Sequence, residues 1–133
     1  MEIRPCGSQP SRKAPAEYFT GIVWQDPIIE APAPPPGVRA TLVRFDPGAR
    51  TNWHTHPAGQ TLYIVSGAGR VQSAEGKVRE VRAGDVVWFP PNVRHWHGAA
   101  PSSTMVHIAI TEVRDGKFVE WMEKVTDAQY QAM

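Results

Sequence analysis

The sequence is poor in the features that mark several classes of protein. Among its 133 residues there is one cysteine, Cys6, so no disulfide can form within the chain and nothing argues for an oxidising compartment. There is no run of about eighteen apolar residues, and residues 1–10 lack the apolar core of a signal peptide. The formal net charge is +1, without a block of lysines or arginines, which argues against nucleic acid or membrane as a partner. We therefore expect a cytoplasmic protein.

Sustained helical periodicity is also missing. Thirteen prolines and eleven glycines divide the chain into short pieces, which favours an all-β fold. Two separate cores of half this length would each be marginal, and there is no internal repeat, so one domain over residues 1–133 is expected. Within it, residues 1–17 are polar and irregular and are predicted to form an arm, while residues 38–122 are predicted to form the core of a barrel.

The turn residues predict where the strands begin and end. A hairpin is expected from residues 18–24 and 27–30, and a proline-rich loop at 31–37. Thr126 is predicted to cap one short C-terminal helix through Tyr130. Eight or more short strands indicate a closed barrel or a double-sheet jelly roll. The further strands are predicted at 38–45, 61–66, 70–73, 77–81, 86–89, 94–98, 104–111 and 118–122.

The histidines are concentrated in or beside these strands. The five histidines include two pairs with i, i+2 spacing, which places both rings of a pair on one face of a strand. A single histidine on a strand is usually structural, but two such pairs and a fifth on a neighbouring strand predict a metal site, since imidazole is the commonest ligand for transition metals. The residues are His54, His56, His95, His97 and His107.

The first pair lies in a recognisable pattern. Gly48, His54, His56, Gln60 and Gly67 have every spacing of the first conserved cupin motif, and the sequence resembles that family here, with glutamine where glutamate is usual. Gln60 also has the same strand parity as the two histidines, provided that the chain between them does not bulge.

The second pair lies in a second pattern. Gly84, Pro90, Asn92 and His95 resemble the second cupin motif, with asparagine in place of its second glycine. Ala99 stands where cupins commonly have asparagine. The resemblance implies a cupin jelly-roll β-barrel, or double-stranded β-helix, that holds one divalent metal ion. The ligands that it implies are His54, His56, Gln60 and His95.

A closer resemblance extends over almost the whole chain. It is carried by residues 1–3, 18–21, 53–57, 59–62, 84–88, 95–101, 121–123 and 125–127, which are similar to the bacterial manganese-dependent cupin hydroxynitrile lyases. It implies a lyase that cleaves cyanohydrins to an aldehyde and hydrogen cyanide, with preference for the (R)-product in the reverse addition. It also implies manganese as the ion, although the ligand types alone leave iron, zinc, nickel and cobalt open.

Three further residues are candidates for catalysis. His97 shares the parity of His95, so it should face the cavity outside the first coordination shell and titrate near neutral pH. The resemblance assigns it proton transfer or binding of the departing cyanide, with His107 and Thr51 completing the pocket. Alternation from His54 places Thr51 on the opposite face, so its inclusion depends on the resemblance. Two structural alternatives stay open: His97 as a residue that orients a metal ligand, and His107 as a hydrogen-bond partner of a neighbouring carbonyl.

The predicted ligand set has a chemical consequence. Three neutral imidazoles and one neutral amide leave the charge of the ion uncompensated, which makes it a stronger Lewis acid toward a hydroxyl or carbonyl oxygen. We therefore expect a small hydroxy or carbonyl compound as substrate. Two alternatives stay open, a dioxygenase of the three-histidine cupin type and a non-catalytic cupin that binds a small ligand.

The remaining expectations concern packing and assembly. Strand parity turns Trp53, Trp88 and Trp96 away from the ligands, so they are interpreted as packing residues or subunit contacts. Barrels of this type commonly pair through their edges, and we expect a homodimer or a homotetramer. No contact with nucleic acid or a membrane is expected.

Overall fold

The protein consists mainly of short β-strands that follow one another closely along the chain. The computed structural model describes residues 1–30 and 37–133. Twelve strands and one helix form in this part of the chain: β1 (Arg12–Lys13), β2 (Phe19–Thr20), β3 (Val23–Ile29), β4 (Gly37–Phe45), β5 (Arg50–Thr51), β6 (His54–Thr55), β7 (Gln60–Ser73), β8 (Arg79–Arg82), β9 (Val86–Phe89), β10 (His95–Ala99), β11 (Met105–Val113), β12 (Glu120–Trp121) and α1 (Asp127–Gln131).

The strands form two antiparallel sheets that share β7. The first sheet has the order β1-β3-β4-β11-β7-β9, and the second has the order β2-β5-β10-β7-β8, with β6 paired with β10 and β12 paired with β6. The first half of β7 pairs with β11 and β9, and its second half pairs with β10 and β8. A strand that belongs to both sheets curls them around a common interior. The expected all-β jelly-roll barrel with one short C-terminal helix is confirmed.

Gly67 marks the place where β7 changes partners. Its φ is +78°, and a Cβ at this position would lie 1.9 Å from the carbonyl oxygen of Thr104. Glycine is therefore the residue that allows this bend and this close approach of the two backbones. Separate strands were predicted at 61–66 and 70–73. That prediction is wrong, because β7 continues through the bend as one strand.

The main core lies between the two sheets. Alternate residues of each strand point inward, and the fully buried apolar side chains come from β4, β7 and β11. They include Phe45, Leu62, Ile64 and Met105. Aromatic side chains of this core also lie against the histidines: the ring centre of Phe45 is 5.2 Å from that of His107, and the ring centre of Phe89 is 3.7 Å from that of His95.

A second, smaller apolar cluster holds the C-terminal helix against the barrel. Trp53 and Trp96 are buried in it with Val125 and Tyr130, so these two tryptophans are packing residues as expected, whereas Trp88 is exposed. The predicted cap is confirmed, because Thr126 and the third helical residue form a capping box. In the described part of the chain, no helix has the length and apolar character needed to cross a membrane.

The N-terminal region differs from its prediction. Residues 18–24 and 27–30 do not form a hairpin: β2 pairs with β5, and β3 runs through Pro27 as a partner of β4. Gly21, with φ +81°, separates the two strands. Pro27 is tolerated because β1 pairs with β3 only at Gln25 and Trp24, and because the β3–β4 register shifts beside the proline. Of the proline-rich loop predicted at 31–37, residues 31–36 lie outside the described residues.

Candidate metal centre

The predicted ligands come from three neighbouring segments in the interior between the two sheets. His54 and His95 are direct partners in the β6–β10 pair, and their ring centres lie 4.3 Å apart. His56 follows β6, and its ring centre lies 4.9 Å from that of His54 and 5.3 Å from that of His95. Gln60 is the first residue of β7. All four side chains are buried and lie together.

The three imidazoles share one hydrogen-bonding pattern. In each ring Nδ1 is held by a backbone carbonyl oxygen, so Nδ1 carries the proton and Nε2 keeps its lone pair. Histidines that bind metals are oriented in this way. The pairs are His54 with Asn52 at 2.9 Å, His56 with Phe118 at 2.6 Å and His95 with Val93 at 2.8 Å.

The amide of Gln60 completes a neutral donor set. Its Nε2 donates to Oγ1 of Thr111 at 3.3 Å, which turns Oε1 toward the imidazoles, 3.4 Å from Nε2 of His95. Nε2 of His56 is buried and has no hydrogen-bond partner in the described part of the chain. Lone pairs that converge without partners are what a divalent cation would use, so the residues fit such an ion.

A fourth imidazole lies close to this set. Nitrogen atoms of His54, His95 and His97 lie within 4.8 Å of one another, a group that leaves out His56. By ring centres, however, His56 is closer than His97 to both His54 and His95. We favour His56 as the third ligand, because its Nδ1 is held by a carbonyl whereas Nδ1 of His97 bonds to another imidazole.

His97 and His107 form a buried pair. Nδ1 of His97 lies 2.9 Å from Nε2 of His107, while Nε2 of His97 and Nδ1 of His107 have no partner among the described residues. Burial lowers the pKa of His97 well below the usual value, and it lowers the pKa of His107 to about 3. The expectation that His97 titrates near neutral pH is therefore wrong, because a ring removed from water stays neutral there.

The same effect acts on the three proposed ligands. Burial is the largest cause that lowers the pKa of His54, His56 and His95, with neighbouring imidazoles as a further cause for His54 and His95. The pKa of His95 falls to about 3. Each ring is therefore neutral at physiological pH, which is the form that binds a metal.

Thr51 faces the interior because the chain departs from simple alternation. β5 ends at Thr51 and β6 begins at His54, and the two residues between them pair elsewhere: Asn52 N donates to Tyr18 O and Trp53 N to Glu123 O. The buried Oγ1 of Thr51 accepts a hydrogen bond from the backbone N of His97 at 3.2 Å. The structure thus brings all seven predicted site residues to one place, and their roles remain predictions.

These residues surround a cavity of about 100 Å³ between the two sheets. It has room for roughly seven water molecules, which corresponds to a small organic molecule. Trp121 of β12 also lines it; its ring stacks on Tyr18 and lies 4.7 Å from the ring of His54. No role was predicted for Trp121, because the pairing of β12 with β6 joins distant segments and leaves no local signal in the sequence.

The fold and the site together define the class of protein. A barrel of two curled antiparallel sheets, with a cluster of histidines inside it, is the arrangement of the cupins. The model of the cupin domain matches residues 41–111. The chain therefore belongs to the cupin family.

Individual relatives are known at higher similarity. Over 130 residues the chain is 56% identical to the (R)-mandelonitrile lyase of Granulicella tundricola, and the match covers 98% of both chains. The crystal structure of a cupin-like protein from Thermotoga maritima is 39% identical, covers 92% of each chain and has a TM-score of 0.87. A polyketide cyclase from Streptomyces resistomycificus shares the fold, with a TM-score of 0.73 at 15% identity over 98% of this chain and 92% of that one.

Proposed function

We propose that the protein is a metal-dependent carbon–carbon lyase that cleaves and forms cyanohydrins such as mandelonitrile. The observation that carries the proposal is the neutral donor set: three imidazoles oriented by backbone carbonyls, one amide, and no carboxylate among the described residues that line the cavity. A divalent ion on these donors, manganese by resemblance, would supply a Lewis acid for the oxygen of the substrate. The name of the Granulicella relative supports this activity.

His97 is proposed to move the proton. When its Nδ1–H donates to His107, the lone pair of its Nε2 is directed into the site and can accept the hydroxyl proton of a cyanohydrin. As that proton leaves, the C–CN bond breaks and its electron pair departs with cyanide, which leaves the aldehyde. His97 then returns the proton to cyanide as hydrogen cyanide. Its low pKa favours this return, because an imidazolium is costly in a buried position.

Thr51 and Trp121 are proposed to position the substrate. Because Oγ1 of Thr51 already accepts the backbone N–H of His97, its own proton is available to donate to a group in the cavity. The indole of Trp121 lies 4.7 Å from the ring of His54, tilted by 40°, and lines the cavity on the side of β12. Together they exclude water from the place where cyanide departs.

The experiment that tests the proposal begins with protein stripped by a chelator. Separate samples are reloaded with manganese, iron or zinc, and benzaldehyde release from racemic mandelonitrile is followed at mildly acidic pH after subtraction of spontaneous decay. The variant His97→Ala is compared with Arg79→Ala, a control on the exposed part of β8. We expect metal-dependent consumption of one enantiomer, a loss of at least about 100-fold in His97→Ala and an unchanged control.

The alternatives predict different outcomes in the same samples. Absence of turnover above background with every metal, at confirmed loading, would contradict the cyanohydrin assignment. Oxygen consumption by the iron-loaded protein would then favour a dioxygenase. Tight binding of a small ligand without turnover would favour a binding protein.

A further inference from the structure

Arg39 is the one charged side chain among the described residues that line the cavity. It lies in β4, where alternate residues point inward, so Arg39, Thr41 and Val43 share the face that lines the interior. Arg39 and Thr41 also border a surface cleft beside Arg12 and Glu30. Arg39 therefore lies where the cavity approaches the solvent.

The register of the first sheet relates Arg39 to the metal donors. Arg39 pairs with Thr111 of β11, and Thr111 pairs with Gln60 of β7. Two strand spacings separate Arg39 from Gln60, which is about 10 Å between backbones. An extended arginine side chain covers much of that distance, so its guanidinium and the imidazoles can contact opposite ends of one small molecule.

The guanidinium is largely uncommitted. Nη1 donates to the carbonyl oxygen of Glu30 at 3.2 Å, and the group lies 4.1 Å from the centre of the Phe118 ring. The carboxylate of Glu30 is bound instead by Arg12. In the described ranges 1–30 and 37–133, Arg39 forms no ion pair, and the sequence of residues 31–36 contains no acidic residue.

We propose that Arg39 binds a carboxylate of the substrate, so that the natural substrate is a small hydroxy or carbonyl compound with a carboxylate at the end remote from the reacting carbon. The reacting end of this assignment rests on the function proposed above. A guanidinium can bind a carboxylate through two parallel N–H groups, and the partly buried position strengthens that bond. The aromatic ring of Phe118 fixes the plane of the guanidinium.

The test compares an anionic ligand with its neutral methyl ester. Binding of 4-carboxybenzaldehyde and of its neutral analogue, methyl 4-formylbenzoate, to metal-loaded protein is measured by calorimetry. We expect the anion to bind at least about tenfold more tightly than the ester in the wild type. Arg39→Met should abolish this preference while it changes the affinity for the ester less than twofold.

Two further variants separate a specific role from a general one. Arg44→Met removes a charge from the same strand but from its exposed outer face, where Arg44 pairs with Asp26, so the preference should remain. Arg39→Lys keeps the charge without the planar fork and should keep part of the preference. Circular dichroism verifies the fold of each variant.

The outcomes distinguish this proposal from the proposed function. Equal affinity of the wild type for both ligands, or a preference that survives in Arg39→Met, would overturn the role of Arg39 even if mandelonitrile is cleaved. A preference that depends on Arg39, in a protein that does not cleave mandelonitrile, would support the carboxylate site and overturn only the cyanohydrin assignment. If Arg39→Met does not fold, the preference for the anion is compared among the wild type, Arg39→Lys and Arg44→Met, and this comparison tests the role of Arg39.

Discussion

Nε2 of His107 lies 2.9 Å from Nδ1 of His97, so the two rings share one proton across strands β10 and β11. The ring that carries this proton determines whether Nε2 of His97 is a donor or an acceptor toward the cavity. His107 therefore acts on the cavity through the tautomer of His97, although its own Nδ1 has no partner in the described part of the chain.

The variant His107→Leu should lower kcat for mandelonitrile cleavage by roughly 10- to 100-fold, with a smaller change in KM, because His97 loses the partner that fixes its tautomer. His107→Gln provides an amide for the same contact and should recover part of the rate. Nitrogen NMR shifts of the His97 ring would report the tautomer directly. A kcat that is equal in both variants and the wild type would contradict this role.

The variant Gln60→Glu should retain its metal ion longer during dialysis against chelator, because a carboxylate adds Coulomb attraction to the site. The same charge weakens the Lewis acid, so kcat should fall by about tenfold. Metal content by mass spectrometry and steady-state kinetics measure the two effects. Gln131→Glu, at the exposed end of α1, is the control for added charge. Faster loss of metal from Gln60→Glu would argue against Gln60 as a ligand.

The metal-free protein should lose stability as the pH falls from about 7 to 5. Unfolded histidines bind protons with a pKa near 6.5, whereas burial lowers the pKa of folded His95 and His107 to about 3. Below pH 6.5 the unfolded state therefore binds more protons, and acid favours unfolding by on the order of 1–2 kcal/mol for each ring.

Urea unfolding of the metal-free protein at the two pH values measures this loss. His107→Leu lacks one of the rings, so its stability should depend less steeply on pH. A free energy of unfolding that is the same at both pH values would contradict the burial of neutral imidazoles.

The outer face of the first sheet carries an apolar surface formed by Tyr63, Val65, Val86, Trp88 and Ile110, which we propose as the interface of a homodimer. Val86 is 65% exposed and Trp88 is 55% exposed. Register places these side chains on one face, on the order of 500 Å² in all, which approaches the area that one partner of a standard interface buries.

Trp88→Glu should convert the oligomer to monomers in sedimentation experiments, because a buried unpaired charge at the centre of an interface is costly. Ile22→Glu, which is exposed between β2 and β3, should leave the mass unchanged. A wild-type protein that sediments as a monomer would contradict the proposal.

Local patterns were sufficient to predict most strands and the position of the site. Strand β9 has its predicted bounds, and Thr126 caps the helix as its side chain indicates. Errors arose where distant segments decide the local conformation. Thr51 turns inward because the two residues that follow it pair with distant chain segments, and Trp121 reaches the cavity through a strand pair of high sequence separation. The low pKa of His97 likewise follows from burial, which spacing does not reveal.

The shared strand β7 has a consequence for the order of folding. One part of it pairs with β11 and another with β10, and the donors for a cation are distributed over both sheets. Such non-local pairing makes folding slow, since long loops must close before the contacts stabilise them. We therefore expect capture of a cation to mark the last stage of maturation, with ion uptake during refolding following the slowest kinetic phase.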